Sequence, residues 1–122
     1  MIEIRNLIKK RADTGIIKKL YGKIFFNKKF KLSVVLANPA LMRKLNKERR
    51  GKNKIADVLS FLYKEERAGE IFLNASLPRR HAGEKNLPYL FIHGSLHLLG
   101  YKHKKNKDAK KMENKKLNIL KK

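Results

Sequence analysis

KLSVVLANPALMRKL, residues 31–45, changes its periodicity once, and that change decides the fold. Lys31 to Ala37 is a near-continuous apolar run of strand length, rich in β-branched valine, which reads as a buried strand. Asn38-Pro39 then marks a helix start: the asparagine side chain can accept a backbone N–H, and proline suits the first helical position because its missing N–H would be unpaired there anyway. Leu41, Met42 and Leu45 follow at helical spacing as the buried stripe of that helix. Downstream, Lys47 to Lys54 reads as a basic, glycine-containing loop. Val58 to Leu62 reads as a second strand, the polar stretch from Lys64 to Gly69 as a turn, and Glu70 to Leu73 as the returning strand of a hairpin. Upstream, Ile2 and Ile4 alternate with Glu3 and Arg5 as in a short half-buried strand. Asp13 is placed to cap a helix whose inner face carries Ile16, Ile17, Leu20 and Ile24, with Gly15 and Gly22 weakening it. Pro78 and Pro88 bracket a basic connection through Arg79, Arg80 and His81. Leu87 to Leu99 reads as an apolar helix, and Asn106 to Leu120 as a lysine-rich helix with Ala109, Met112, Leu117 and Leu120 inward. There is no internal repeat, and 122 residues make one domain, 1–122, rather than two.

The charge sets the class of partner. Thirty-two Lys plus Arg against 10 Asp plus Glu give a formal net charge of +22. Such a surface attracts polyanions, and affinity for nucleic acid should fall steeply as salt rises, because each neutralised phosphate releases condensed counterions. Lysine spread along the whole chain also serves solubility, so the charge does not by itself assign a ligand. The chain has no cysteine, which excludes disulfides and cysteine-based metal sites. No apolar run approaches the ~20 residues of a membrane helix. The first ten residues, MIEIRNLIKK, lack the apolar core and cleavage site of a secretory signal, so a reducing cytoplasm is the expected location.

Chemistry concentrates in HGSLHLLGYKH, residues 93–103. His93 and His97 are one helical turn apart, with Cβ atoms roughly 5–6 Å from each other, so two imidazoles can meet one ion. Along a continuing helix position 103 would lie too far away, but Gly100 is the residue type that ends a helix in the left-handed conformation and lets the chain bring His103 round. Three neutral imidazoles without a fourth protein ligand leave a coordination position open, as in a catalytic rather than a structural centre. Zinc suits them best, while nickel, cobalt, copper and iron also bind imidazole. His81 lies outside this window and reads as an ordinary surface residue. The same histidine spacing occurs in zinc proteases that place a glutamate base after the first histidine. Here that position is Gly94, which argues against peptide hydrolysis and calls for either close packing or room for substrate.

These residues resemble the YbeY family of rRNA maturation factors, whose signature HGxLHLxGYDH is similar to residues 93–103. A second family pattern, LNxxYRGKDxxTDVLSFP, is similar to LNKERRGKNKIADVLSFL at 45–62, and the likeness extends loosely over nearly the whole chain, including Gly69-Glu70-Ile71-Phe72. The resemblance implies an α+β fold: a small mixed four-stranded sheet packed on several helices, with zinc held by His93, His97 and His103 on a helix and the following turn. It also implies a metal-dependent endoribonuclease acting on single-stranded RNA in rRNA processing and ribosome assembly, with the ribosomal subunit as a partner. Arg50 falls at the family's basic position near the cleft, and a guanidinium offers paired donors and permanent charge to a scissile phosphate. Lys52 is a second RNA-facing candidate. The sequence departs from the family at Lys102, which replaces an aspartate, at Leu62, which replaces a proline, and at Ala56, which replaces a threonine. The stretch between Leu73 and Leu87 is also shorter. Lys102 is the feature that favours the alternative of a metal-stabilised, non-catalytic rRNA-binding assembly factor.

Overall fold

Val34, Val35 and Leu36 are all buried although successive side chains of a strand point to opposite faces, because helices cover both sides of the sheet to which they belong. The computed structural model describes residues 1–8, 14–26, 28–75 and 87–100. Among these, the elements run β1 (Ile2–Asn6), α1 (Thr14–Ile24), β2 (Lys31–Ala37), α2 (Pro39–Arg50), β3 (Val58–Tyr63), β4 (Ala68–Asn74) and α3 (Leu87–Leu98). The sheet order is β1-β2-β4-β3. β2 pairs in parallel with β1 and β4, and β3 returns antiparallel on β4 through the turn at 64–67. The four-stranded mixed sheet and single small domain agree with the α+β expectation.

The parity of β2 and β4 divides the core. Leu32, Val34, Leu36, Ile71 and Leu73 face α1 and α3, where they meet Ile17, Leu20, Phe91, Ile92 and Leu96. Val35, Ala37, Leu59 and Phe72 face the other way, onto Met42 of α2. Central strands covered on both faces must be apolar nearly throughout, which is what marked residues 31–37 as buried. β3 is an edge strand between the two helical layers: Val58 packs with the α1–α3 side and Phe61 with the α2 side.

The start of α2 is as read. The Asn38 side-chain oxygen accepts the Leu41 N–H at 2.9 Å, and Pro39 opens the helix. Its end is not. The helix continues to Arg50 through residues expected to lie in a loop, because Lys, Glu and Arg are good helix formers and cations in the last turn complement the helix dipole. Gly51, at φ +69°, ends it. The inner face of α1 needs one correction: Ile17, Leu20 and Ile24 are buried, but Ile16 is 38% exposed, since the covered face is narrower than the apolar stripe. The Asp13 cap, the connection containing Pro78 and His81, and the helix expected over 106–120 lie outside the described residues. No helix among the described residues is long and apolar enough to cross a membrane.

Candidate functional site

α3 is apolar almost all round, as a helix wedged between a sheet and another helix must be. From Tyr89 to Leu98 every residue is buried except His93 and His97, which are half-buried and share one face. Their Nε2 atoms stand 3.0 Å apart, with ring centroids at 4.6 Å. Two nitrogens this close can both lie 2.0–2.1 Å from a common point, the bond length of zinc to imidazole. The separation is that of a hydrogen bond and is equally compatible with two imidazoles sharing one transition-metal ion; among the described residues no third histidine or carboxylate joins them. Gly100, at φ +102°, gives its N–H to the His97 carbonyl at 3.1 Å, and α3 ends just before it, at Leu98. His103, the third expected ligand, and Lys102 lie outside the described residues.

Gly94 sits between the two histidines for a packing reason. A Cβ there would meet Ser60 Oγ at 2.9 Å and the Cγ2 atoms of Ile71 and Val58 at 3.1 Å. The glycine lets α3 press onto the sheet, and the Ser60 hydroxyl donates to the Gly94 carbonyl at 3.1 Å. This contact fixes the histidine-bearing turn against β3.

The histidines open into a cleft of about 320 Å³ that is also lined by Arg49, Arg50, Val58, Ser60 and Phe61. α3 and the C-terminal turn of α2 lie on opposite faces of the sheet, and the cleft joins them across the edge strand β3. Because α2 runs on to Arg50, it delivers two guanidiniums here, and none of the described residues lining the cleft is acidic. Arg49 is held on several sides. Its guanidinium lies 4.5 Å from the centroid of the Phe61 ring, Nη1 donates to the Tyr63 hydroxyl at 3.2 Å, and Glu70 Oε1 stands 3.9 Å away. Tyr63 in turn donates to Glu70, and that hydrogen bond, with some burial, raises the phenol above its ordinary pKa. Lys52 does not line the cleft. Its exposed position follows the turn closed by its backbone N–H to the Asn46 carbonyl, at 3.2 Å.

Arg49, Ser60 and Phe61 were not singled out from the sequence. Ser60 had a detectable signal, a small polar residue on the inward parity of an apolar strand. Arg49 stands where the second family pattern has tyrosine, but its place in the cleft depends on where α2 ends.

A family model described as endoribonuclease YbeY matches residues 3–122. The chain belongs to the YbeY family. Its relatives include the endoribonuclease YbeY of Neorickettsia sennetsu, 39% identical over an alignment of 106 positions that covers 78% of this chain and 74% of that protein. The endoribonuclease YbeY of Ehrlichia chaffeensis is 34% identical across 95% of this chain and 79% of its own. That of Pelagibacter ubique is 39% identical across 72% of this chain and 66% of its own. A solution structure of a Thermotoga maritima protein superposes with a TM-score of 0.61 at 25% identity, covering 98% of this chain and 87% of that one. In YbeY terms, the first two histidines of the signature are those that α3 turns into the cleft, and the arginine of the second pattern is Arg50.

Proposed function

We propose that this chain is a zinc-dependent endoribonuclease that cuts single-stranded RNA in the His93–His97 cleft and serves rRNA maturation and ribosome assembly in the cytoplasm. The observation that carries this reading is the 3.0 Å pair of imidazole nitrogens sharing one cleft with Arg49 and Arg50, in a chain of the endoribonuclease YbeY family. His93 and His97 would hold the ion through Nε2, with His103 completing the set. When bound, the ion supplies Lewis acidity to a phosphate oxygen or a water molecule. Arg50 and Arg49 bind the phosphodiester and offset charge that builds on it, and a guanidinium does this with paired donors that lysine lacks. The ring of Phe61 and the side chain of Val58 give the cleft an apolar wall on which sugar or base can rest.

The test is incubation of metal-loaded protein with end-labelled single-stranded RNA beside His97→Ala. Cleavage by the parent and not by the variant is expected. Equal cleavage by both overturns the assignment, and binding without cleavage by the parent favours the non-catalytic assembly factor. Analysis of the product ends then separates attack by water, which could cut DNA too, from attack by the RNA 2′-hydroxyl, which leaves a cyclic phosphate.

A further inference from the structure

A second concavity, about 400 Å³, lies along the outer flank of α2. Arg43, Lys44 and Lys47 line it, together with Pro39, Asn53 and Ile55, and among the described residues no acidic one does. Arg43 Nε donates to Asn53 Oδ1 at 3.2 Å, which ties the loop after α2 to the groove wall. Ile55 is 49% exposed, an apolar side chain left facing solvent among cations. At 3.6 residues per turn, Arg43, Lys47 and Arg50 fall within about 60° of one another around the helix axis. The groove and the histidine cleft are therefore served by one basic stripe, with Arg50 at the cleft end.

We infer that this groove is a second binding site for single-stranded RNA, taking the sugar-phosphate backbone of the strand as it leaves the cleft past Arg50. The inference rests on the RNA reading of the cleft. Arg43 lies seven residues from Arg50, roughly 10 Å along the axis at 1.5 Å per residue. That is about three nucleotides at the 3.4 Å rise of a stacked strand. Three cations with no acidic residue among the described lining match phosphates, and Ile55 with Pro39 offers the apolar floor on which a sugar or base packs. A solvated basic face would need neither the concavity nor the exposed isoleucine. It would also have no reason to share its helical stripe with the arginine of the cleft.

The test compares Arg43→Gln/Lys44→Gln/Lys47→Gln with Lys18→Gln/Lys19→Gln/Lys23→Gln. The second triple removes the same charge from exposed positions of α1, on the opposite face of the sheet. Binding of 2′-O-methyl oligouridylates of three and ten nucleotides is followed by fluorescence anisotropy across a salt series. Each lost phosphate contact flattens the salt slope by about 0.7, so loss of two or three contacts should flatten it by roughly 1.5–2. The α2 triple is expected to bind the ten-nucleotide strand about tenfold more weakly and the three-nucleotide strand nearly unchanged, with little effect from the α1 triple. Equal weakening by both triples, or an equal loss on both lengths, overturns the groove. A parent protein that binds the longer strand but never cuts unmodified RNA removes the nuclease reading and leaves the groove standing. One that cuts RNA while the two triples behave alike removes the groove alone, and one that binds neither strand overturns the groove outright.

Discussion

Replacing Gly94 with alanine sets two local effects against each other. Alanine is favoured over glycine within a helix by about 1 kcal/mol. Against that, the new methyl would lie 2.9 Å from Ser60 Oγ and 3.1 Å from Cγ2 of both Val58 and Ile71. Ser60 can rotate away at the cost of its hydrogen bond to the Gly94 carbonyl, but the two β-branched side chains are stiff and packed. Overpacking of this kind costs about 1–3 kcal/mol, so the net expectation is a loss of up to about 2 kcal/mol. For a chain of this length that lowers the melting temperature by up to about 10 °C. Gly22 provides the control, since it lies within α1 and, its own helix backbone apart, no atom of the described residues comes within 4 Å of its notional Cβ. Gly22→Ala should stabilise by about 0.4–1 kcal/mol. The assay is urea and thermal unfolding of both variants beside the parent. If Gly94→Ala stabilises as much as Gly22→Ala, α3 does not press on β3 as described, and the reason given for a glycine between the histidines fails.

Three further expectations follow from the same geometry. Arg50→Ala should slow RNA cleavage by about 10²-fold with no change in unfolding midpoint, and Arg50→Lys should recover only part of that, because ammonium lacks the paired donors; full activity in Arg50→Ala would remove it from the site. Arg49→Lys keeps the charge but gives up the stack on Phe61, so it should weaken RNA binding while moving stability by less than about 1 kcal/mol; unchanged binding of a short oligonucleotide would show that Arg49 does not face the substrate. Asn46→Ala removes the bond from Nδ2 to the Lys54 carbonyl, 2.9 Å, beneath the loop that follows α2, and should cost about 1–3 kcal/mol by urea titration; a neutral result would mean that this buried side chain does not hold the loop.

The β2–α2 junction was legible because it is written in local chemistry: a doubly buried strand must be apolar, and an asparagine followed by proline can start a helix almost alone. The end of α2 was harder to read. A run of lysine and arginine looks like a loop, yet those side chains are good helix formers, and only the glycine at 51 decides where the helix stops. That misplacement hid Arg49, which reaches the cleft and the Phe61 ring only because the last helical turn extends that far. The strand pairing was also beyond local reading. β2 lies beside β4 rather than β3 because α2 and the returning hairpin bring β4 into parallel register with it, and such long-range pairing leaves no short sequence mark. His93 and His97 were legible for the opposite reason, since four residues on a helix fix a distance whatever surrounds it. Gly94 was legible as a position needing an explanation. Its answer, contact with Ser60, Val58 and Ile71, required the third dimension.

The central claim is that His93 and His97 form a metal centre, and metal stoichiometry tests it most directly. Elemental analysis of gently purified, untagged protein should give close to one zinc per chain, with the metal largely lost in His93→Ala and His97→Ala. Less than about 0.2 transition metal per chain in the parent, or undiminished metal in both variants, would contradict it.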